Sequence, residues 1–126
     1  MTTMFEVYKC ETCGNMIKVI HASGGTMVCC GQPMTLLAEK TDDQGKEKHV
    51  PVVEKSAKGI LVKIGSVPHP MEEKHFIKWV EVRSGENVFV KGFKPGEKAE
   101  AEFCIADMNV KVRAYCNVHG LWTNKR

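Results

Sequence analysis

The chain has 126 residues, of which 43% are hydrophobic and 26% charged, so it can form one ordinary domain or two very small ones and is not a disordered chain. Its net charge is only +3 and acidic residues alternate with the lysines, which argues against a nucleic-acid-binding protein. No apolar run approaches the ~18 residues of a membrane helix, and the N-terminal residues lack the order of a secretory signal. We therefore expect a cytoplasmic protein with neither a membrane nor a nucleic acid as its partner.

Residues 1–37 are predicted to form a small unit that depends on a metal. Short apolar stretches at 5–8 and 17–20 alternate with turns. A segment of fewer than ~40 residues usually needs a metal, disulfides or oligomerisation to fold. Because cytosolic thiols are kept reduced, a cysteine cluster there is more often a metal site than a set of disulfides. Four of the six cysteines lie in this unit: Cys10, Cys13, Cys29 and Cys30.

These four cysteines have the spacing of an S4 metal site. A C-x2-C turn, here Cys10 to Cys13, places two sulfurs on one side of a knuckle, and a second pair can complete a tetrahedral cage. The adjacent pair Cys29-Cys30 must bend the backbone for both sulfurs to reach one ion, so we expect a distorted tetrahedron. Spacing alone leaves iron and a structural zinc equally open. Because four thiolates close the coordination sphere, the available roles are folding and electron storage.

Residues 39–48 are polar and charged, with one glycine and no apolar residue, and are predicted to be a linker or mobile loop. The residues beyond them alternate between short apolar segments and turns, without a competing helical pattern. Residues 38–126, about 89 in all, are expected to contain six or seven short strands and suit an antiparallel β-sandwich of immunoglobulin-like type. The predicted fold class is therefore all-β, with strands at 59–64, 76–83, 88–93, 99–105 and 110–115.

A second metal site is predicted from residues at the strand ends and loops of the sandwich. Taken singly, each histidine is more often an ordinary polar residue than a ligand, so the prediction depends on the whole set. Cys116 ends an apolar row of alternating residues, which should point its sulfur inward. Imidazole and thiolate ligands admit zinc, iron and copper. The candidate ligands are His49, His69, His75, Cys116 and His119, whereas His21 and Cys104 are predicted not to be ligands.

Taken together, the motifs resemble the desulfoferrodoxin family, the two-iron class of superoxide reductases. The resemblance runs the full length and in order: Cys10-x2-Cys13 with Cys29-Cys30, then Glu47-Lys48-His49, His69-Pro70, His75 and Cys116-Asn117-x-His119-Gly120. It implies iron at both sites. A desulforedoxin-like, rubredoxin-like Fe(Cys)4 domain would occupy residues 1–37 and a catalytic β-sandwich residues 38–126. In the catalytic centre, an Fe(His)4(Cys) site, the four imidazoles would be equatorial and Cys116 axial, with the sixth position open.

The resemblance further implies an enzyme that reduces superoxide to hydrogen peroxide with one electron and two protons. Glu47 resembles the family carboxylate that binds the oxidised iron, and Lys48 is expected to attract superoxide and to hold the water that protonates the product. Composition alone would instead favour a solvated charge run for these two residues, and a lid that swings between them is a hypothesis. A rubredoxin-like electron donor and a homodimer are also implied. The alternatives are an electron-transfer protein that uses only the FeS4 site and a zinc-stabilised binding module.

Overall fold

The computed structural model describes residues 2–41, 48–65 and 69–124. The chain forms two compact units, Met1–Ala38 and Glu39–Arg126. The described residues form strands, turns and bends and contain no helix, so no helix among them is long and apolar enough to cross a membrane. The predicted all-β fold is confirmed.

The first unit is built from five short strands: β1 (Val7–Lys9), β2 (Met16–Lys18), β3 (Val28–Cys29), β4 (Gln32–Pro33) and β5 (Thr35–Leu36). Three of them form an antiparallel sheet in the order β2-β1-β5, and β3 pairs with β4. Among the described side chains of this unit, the buried hydrophobic ones are Val7, Cys10 and Val19. So small a core agrees with the expectation that the unit depends on a metal.

The second unit is a β-sandwich of eight strands: β6 (Glu39–Lys40), β7 (Pro51–Ser56), β8 (Gly59–Ile64), β9 (Ile77–Ser84), β10 (Asn87–Gly92), β11 (Glu100–Phe103), β12 (Lys111–Cys116) and β13 (Gly120–Thr123). One sheet has the order β10-β9-β12-β13-β6 and the other has the order β11-β8-β7. All pairs are antiparallel except β6 with β13, which is parallel. The sequence prediction did not name β6, β7 or β13.

Alternating apolar residues of the two sheets form the core of the sandwich. On β8, Ile60, Val62 and Ile64 are buried, and on β12 the same is true of Val112 and Ala114. This period of two is what places one face of each strand in the core. The same alternation buries the cysteine that ends β12, which fixes one side chain of the second predicted metal site.

The five-stranded sheet also contains a buried ion pair. Arg113 donates from Nε and Nη2 to the two carboxylate oxygens of Glu81, both at 2.7 Å, and from Nη1 to Glu39 at 3.1 Å. Burial opposes the charged form of Arg113, but the hydrogen bonds and charge of Glu81 outweigh it, so the pKa of Arg113 is raised. Glu39 also accepts a bond from Lys111 at 2.6 Å. These contacts tie β6, β9 and β12 together.

The prediction of a linker at 39–48 is wrong for its first two residues, which form β6. Glu39 is held by Lys111 and Arg113, and the Lys40 ammonium donates to the carbonyl of His119 at 2.8 Å. A strand of two charged residues has no local pattern that distinguishes it from a loop. Residues 42–47 lie outside the described part of the chain.

Candidate metal centres

The four cysteines of the first unit are spaced to bind a single ion. Their sulfurs all lie within 4.8 Å of one another. The Cys13 and Cys29 sulfurs are 3.5 Å apart, and those of Cys29 and Cys30 are 3.9 Å apart. A tetrahedron with metal–sulfur bonds of ~2.3 Å has edges of about 3.8 Å, so this set fits an S4 site. We call it the tetracysteine group: Cys10, Cys13, Cys29 and Cys30.

The turn after β1 directs backbone amides towards two of these sulfurs. The N–H of Cys13 donates to the sulfur of Cys10 at 3.4 Å, and the N–H of Asn15 donates to the sulfur of Cys13 at 3.5 Å. Gly14 has φ of 86°, a left-handed conformation that glycine adopts at little cost. Since N–H donors stabilise thiolates, the knuckle favours the deprotonated sulfur that binds metals.

The adjacent pair bends the backbone as the sequence predicts. Cys30 has φ of 53°, a region that residues other than glycine rarely occupy. The bend leaves the neighbouring sulfurs of Cys29 and Cys30 close enough to share one ion, at the cost of local backbone strain. Such strain persists where something overdetermines the conformation, and a metal held by both sulfurs would do so.

The acidities of the thiols show why these sulfurs fit a cation. The pKa of Cys10 is lowered to about 6, chiefly by the hydrogen bond from the Cys13 amide. The pKa of Cys30 is raised to about 12, first by its hydrogen bond with the Cys13 sulfur and then by those with the other two. One thiolate therefore forms readily, and a thiol beside it resists losing its proton. A bound cation would favour the deprotonated form of all four cysteines, because its positive charge compensates the charges of the thiolates.

In the second unit, four imidazoles surround a common centre in the cyclic order His49, His69, His75, His119. The ring centroids of neighbours are 4.7, 4.9, 4.9 and 4.8 Å apart, and neighbouring planes are inclined by 67° to 82°. The ligand atoms, together with the sulfur of Cys116, all lie within 4.8 Å of one another. We call these four histidines and Cys116 the histidine-cysteine group.

The nitrogen spacing in this group also fits an ion. His49 Nε2 and His119 Nδ1 are 3.1 Å apart, and a square of nitrogens ~2.1 Å from a metal has sides of about 3.0 Å. The sulfur of Cys116 is 3.8 Å from His119 Nδ1. Cys116 is fully buried at the end of β12, which confirms the prediction that its side chain points inward.

Two ring nitrogens of the group are buried, and the described residues offer neither of them a hydrogen bond. His69 Nδ1 lies 2.6 Å from the carbonyl oxygen of Pro70; because a carbonyl only accepts, Nδ1 carries the proton and Nε2 has a lone pair. The Nε2 atoms of His69 and His75 are buried and have no hydrogen-bond partner among the described residues. A buried polar atom left without a partner is costly, and a metal ion at the centre of the ring would satisfy both.

The environment keeps His69 neutral. Burial lowers its pKa to about 4, against the partial opposing effect of the hydrogen bond to Pro70 and with further lowering by the other imidazoles. Neutral imidazole is the form that coordinates metals. At neutral pH, His69 therefore offers its lone pair to an ion without first losing a proton.

Asn117 connects the two loops that supply the ligands. Its side-chain oxygen accepts a bond from the N–H of Phe76 at 2.9 Å, and its side-chain nitrogen donates to the carbonyl of Lys74 at 3.0 Å. Both neighbours of His75 in the chain are thus fixed by a residue that directly follows Cys116. This arrangement fixes the positions of His75 and Cys116 relative to each other.

Trp122 on β13 supports the other side of the ring. Its indole stacks on His49 with centroids 4.7 Å apart and planes inclined by 17°, and its Nε1 donates to the carbonyl of His119 at 3.2 Å. The Lys40 ammonium lies 5.5 Å from the Trp122 ring centroid and bonds the same carbonyl. Neither Lys40 nor Trp122 has a ligand-type side chain, so the motifs alone do not predict that they support the centre.

All nine residues predicted as ligands fall into these two groups. His21 and Cys104, which were predicted not to be ligands, are exposed and belong to neither group. Lys48 directly precedes His49 and is half-buried. Glu47 lies outside the described residues, so its predicted position beside the centre stays a prediction.

Comparisons with known proteins point to one family over nearly the whole chain. The family model "Desulfoferrodoxin" matches residues 41–125, and "Desulfoferrodoxin, N-terminal domain" matches residues 2–37. A desulfoferrodoxin from Syntrophotalea carbinolica is 54% identical over 125 residues, covering 99% of each chain. A superoxide reductase from Pyrococcus abyssi is 31% identical over 105 residues, covering 68% of this chain and 91% of its own. The crystal structure of the superoxide reductase from Treponema pallidum has a TM-score of 0.80 at 28% identity, covering 95% of this chain and 97% of that one.

Proposed function

The chain belongs to the desulfoferrodoxin family, and on that premise we propose that it is a superoxide reductase whose histidine-cysteine group binds the catalytic iron. The two groups agree with the two iron centres of the family, one Fe(Cys)4 and one Fe(His)4(Cys). The observation that carries the proposal is the ring of four imidazoles, of which two buried nitrogens have no partner within the described part of the chain, with a buried cysteine beside them. We assign the first centre to a domain at 1–37 and the second to a catalytic domain at 38–126.

The overall reaction joins one superoxide with one electron and two protons to give hydrogen peroxide. Iron bound by the histidine-cysteine group would supply the electron by changing between its ferrous and ferric states. The chain contributes four neutral imidazoles and one thiolate as ligands. With iron bound, the thiolate of Cys116 would increase electron density at the ion, as thiolate ligands do in haem proteins, and this would favour electron transfer to the substrate.

The side chains beside the centre have proposed roles in binding the anion and delivering protons. Lys48 precedes His49, so its ammonium can attract superoxide to the site and hold a water that donates a proton. We propose that Glu47 binds the oxidised iron once the product has left. A loop that brings one or the other residue to the centre is part of this proposal.

The remaining parts of the proposal follow from the family and the cysteine content. A rubredoxin-like carrier would return the electron to the centre, and the tetracysteine group would relay or store charge. A homodimer would support the small first unit, whose core is limited to a few side chains. A cytoplasmic location suits six free cysteines.

Metal content with visible absorption tests the proposal first. We expect two irons per chain, with separate absorption bands from the tetracysteine centre and from a ferric–thiolate centre. One iron per chain, bound by cysteines alone, would support an electron carrier. A colourless protein with zinc would support a binding module with no redox role.

Pulse radiolysis then tests the activity and the role of Lys48. The Lys48→Ile variant should react with superoxide more slowly at low salt and lose most of this difference at high salt, because steering by a surface charge is screened by ions. Lys58→Ile is the matched control, since Lys58 lies in the turn beyond the other end of β7 from His49. If Lys48→Ile reacts at the rate of the unaltered protein at low salt, the steering role is wrong.

A cysteine variant separates the two centres. Cys13→Ser should lose the absorption of the tetracysteine centre and keep the reduction of superoxide, because the histidine-cysteine group lies wholly in the other unit. Loss of superoxide reduction in a folded Cys13→Ser protein with iron in the histidine-cysteine group would contradict this division of labour.

A further inference from the structure

We propose that Lys40 is a positioning residue for the histidine-cysteine centre, acting through the backbone of His119 and the indole of Trp122. The inference rests on the proposed iron site but not on superoxide being its substrate. Lys40 is an exposed residue of a two-residue strand. It nevertheless contacts the backbone of one imidazole ligand and the indole that stacks on another.

His119 faces the centre with Nδ1, which lies 3.1 Å from His49 Nε2 and 3.8 Å from the sulfur of Cys116. Nδ1 is attached to the ring carbon that joins the side chain, whereas Nε2 is at the far end of the ring. The position of Nδ1 therefore follows the backbone of His119 closely. A small shift of this backbone would move the ligand atom by a comparable amount.

Two side chains hold this backbone at the carbonyl of His119. The Lys40 ammonium donates to it at 2.8 Å and the Trp122 indole donates at 3.2 Å. The next residue, Gly120, has φ of 91°, and a Cβ there would lie 3.4 Å from Lys40 Nζ. The turn between β12 and β13 thus leaves little space between its backbone and the ammonium.

The same ammonium is linked to a second imidazole, that of His49. It lies 5.5 Å from the centroid of Trp122, within the range of a cation–π contact, and Trp122 stacks on His49. Lys40 pairs with Trp122 in the parallel β6–β13 ladder. Lys40 therefore supports His119 by a hydrogen bond and His49 through the indole.

Strand β6 is held in place by the ion pairs of Glu39, so the backbone from which the Lys40 side chain extends is fixed. Glu39 accepts bonds from Lys111 at 2.6 Å and from Arg113 at 3.1 Å. A lysine on a mobile loop would lose much side-chain and backbone entropy on making the same contacts. The backbone of Lys40 is already ordered by the β6–β13 pairing and by the ion pairs of Glu39, so its contacts cost less backbone entropy.

The charge of Lys40 has a second effect that a purely structural contact would not have. A positive charge bonded to the carbonyl of a ligand residue disfavours the more positive ferric state relative to the ferrous one. Removing the charge should therefore lower the reduction potential of the centre. Replacing Lys40 by arginine keeps the charge and a donor, so the potential should be retained.

The experiment compares Lys40→Met, Lys40→Arg and the control Lys58→Met in the full-length, iron-loaded protein. One readout is iron retention by the histidine-cysteine centre against increasing concentrations of an Fe(II) chelator, and the other is its midpoint potential. For Lys40→Met we expect about tenfold weaker retention, as for other residues that support ligands. We also expect a tenfold change in the ferric-to-ferrous balance, which is about 59 mV for one electron. Lys40→Arg should restore most of both, and Lys58→Met should match the unaltered protein.

Two results would overturn the inference: Lys40→Met that equals the unaltered protein in both readouts, or Lys40→Arg that is as impaired as Lys40→Met. The absorption of the tetracysteine centre serves as an internal reference, because that group lies in the other unit. An unaltered protein that binds iron in the histidine-cysteine group but does not reduce superoxide would refute the proposed function and leave this inference standing. The two failures are therefore distinguishable.

Discussion

The buried pair of Glu81 and Arg113 provides a sharp test of the energetics of the sandwich. We consider two single changes, Glu81→Gln and Arg113→Met, and the double change that makes both. The Glu81 side chain is 0% exposed and that of Arg113 is 2% exposed. Each single change leaves the other charge buried, whereas the double change removes both charges together.

The expected costs follow from the partners that remain. Breaking a buried ion pair costs about 3–5 kcal/mol of the free energy of unfolding, while replacing the whole pair by apolar side chains is often neutral. After Glu81→Gln, Arg113 keeps its bond to Glu39, so we expect about 3 kcal/mol, at the low end. After Arg113→Met, Glu81 keeps an ion pair with Arg83 at 3.7 Å, which is long, so we expect about 4 kcal/mol. The double variant, Glu81→Gln with Arg113→Met, leaves no unpaired charge of this pair but a buried amide, which costs about 1–3 kcal/mol without a partner, so it should lose clearly less than the sum of the two single costs.

Urea unfolding followed by tryptophan fluorescence measures these costs. Both tryptophans, Trp79 and Trp122, belong to the second unit, so the signal reports on the sandwich. With m of about 1–3 kcal/mol/M, a single variant should lower the urea midpoint by more than about 1 M. Glu39→Gln is the control; the Glu39 side chain is 30% exposed, and a pair of this kind is worth about 1 kcal/mol or less.

The reasoning fails if the single variants cost less than about 1 kcal/mol, since Glu81 and Arg113 would then not behave as buried charges. It also fails if the costs of the two single changes simply add in the double variant. Additive costs would mean that the two side chains do not depend on each other.

Three further predictions concern the second unit. Asn117→Ala should weaken iron retention by the histidine-cysteine centre about tenfold without altering the absorption of the tetracysteine centre, because the loop carrying His75 loses both of its side-chain ties; equal retention in chelator competition would refute this role. In metal-free protein the pKa of His69 is lowered to about 4, so as the pH falls below ~6.5 the unfolded chain takes up a proton before the folded one does. The urea midpoint should therefore be highest above that pH and decrease down to about pH 4. An unchanged midpoint over this range would contradict the effect of burial on His69. Gly59→Ala should destabilise the sandwich by at least about 2 kcal/mol, because its Cβ would overlap the carbonyl oxygen of Phe103 and lie 2.7 Å from the backbone nitrogen of Ile105 at φ of 151°; thermal unfolding close to that of the unaltered protein would show that β8 and β11 separate easily at this end.

The sequence predicts the strands whose side chains alternate. The predicted strand at 59–64 coincides with β8, and those at 76–83 and 110–115 differ from β9 and β12 by one residue at each end. On β8 fully buried positions alternate with half-buried ones, so local pattern and tertiary structure agree there. On β9 and β12 some of the residues between the core positions are buried too, among them Glu81 and Arg113. The inward direction of Cys116 follows from the same alternation.

Two of the features that were missed, strand β6 and the buried Arg113, depend on contacts between distant residues. Strand β6 is stabilised by bonds from Glu39 to Lys111 and Arg113, 72 and 74 residues away. Arg113 lies between the apolar residues Val112 and Ala114 of β12, and its buried guanidinium is paired with Glu81 on β9. Neither feature has a local signature, because charged residues in an isolated sequence are expected to face solvent.

The candidate centre could be predicted from ligand types and their motifs, but its support could not. Histidine and cysteine are recognisable as metal ligands in sequence. Asn117 acts through hydrogen bonds to the backbone of another loop, and Trp122 through stacking on a ring from a distant segment. Such roles depend on how the segments meet in space, which the motif alone does not specify.

The separation of the ligands along the chain determines the order in which the two ligand sets are completed during biosynthesis. Cys10 and Cys29 are 19 residues apart, whereas His49 and His119 are 70 apart. Closing the longer segment costs about 1 kcal/mol more chain entropy, and its centre cannot be complete before His119 has been synthesised. The cysteine centre can capture an ion early, on the nascent chain. The histidine centre lacks a ligand until nearly the whole chain has been made, so a chain that stops before residue 119 should hold metal at the first site alone.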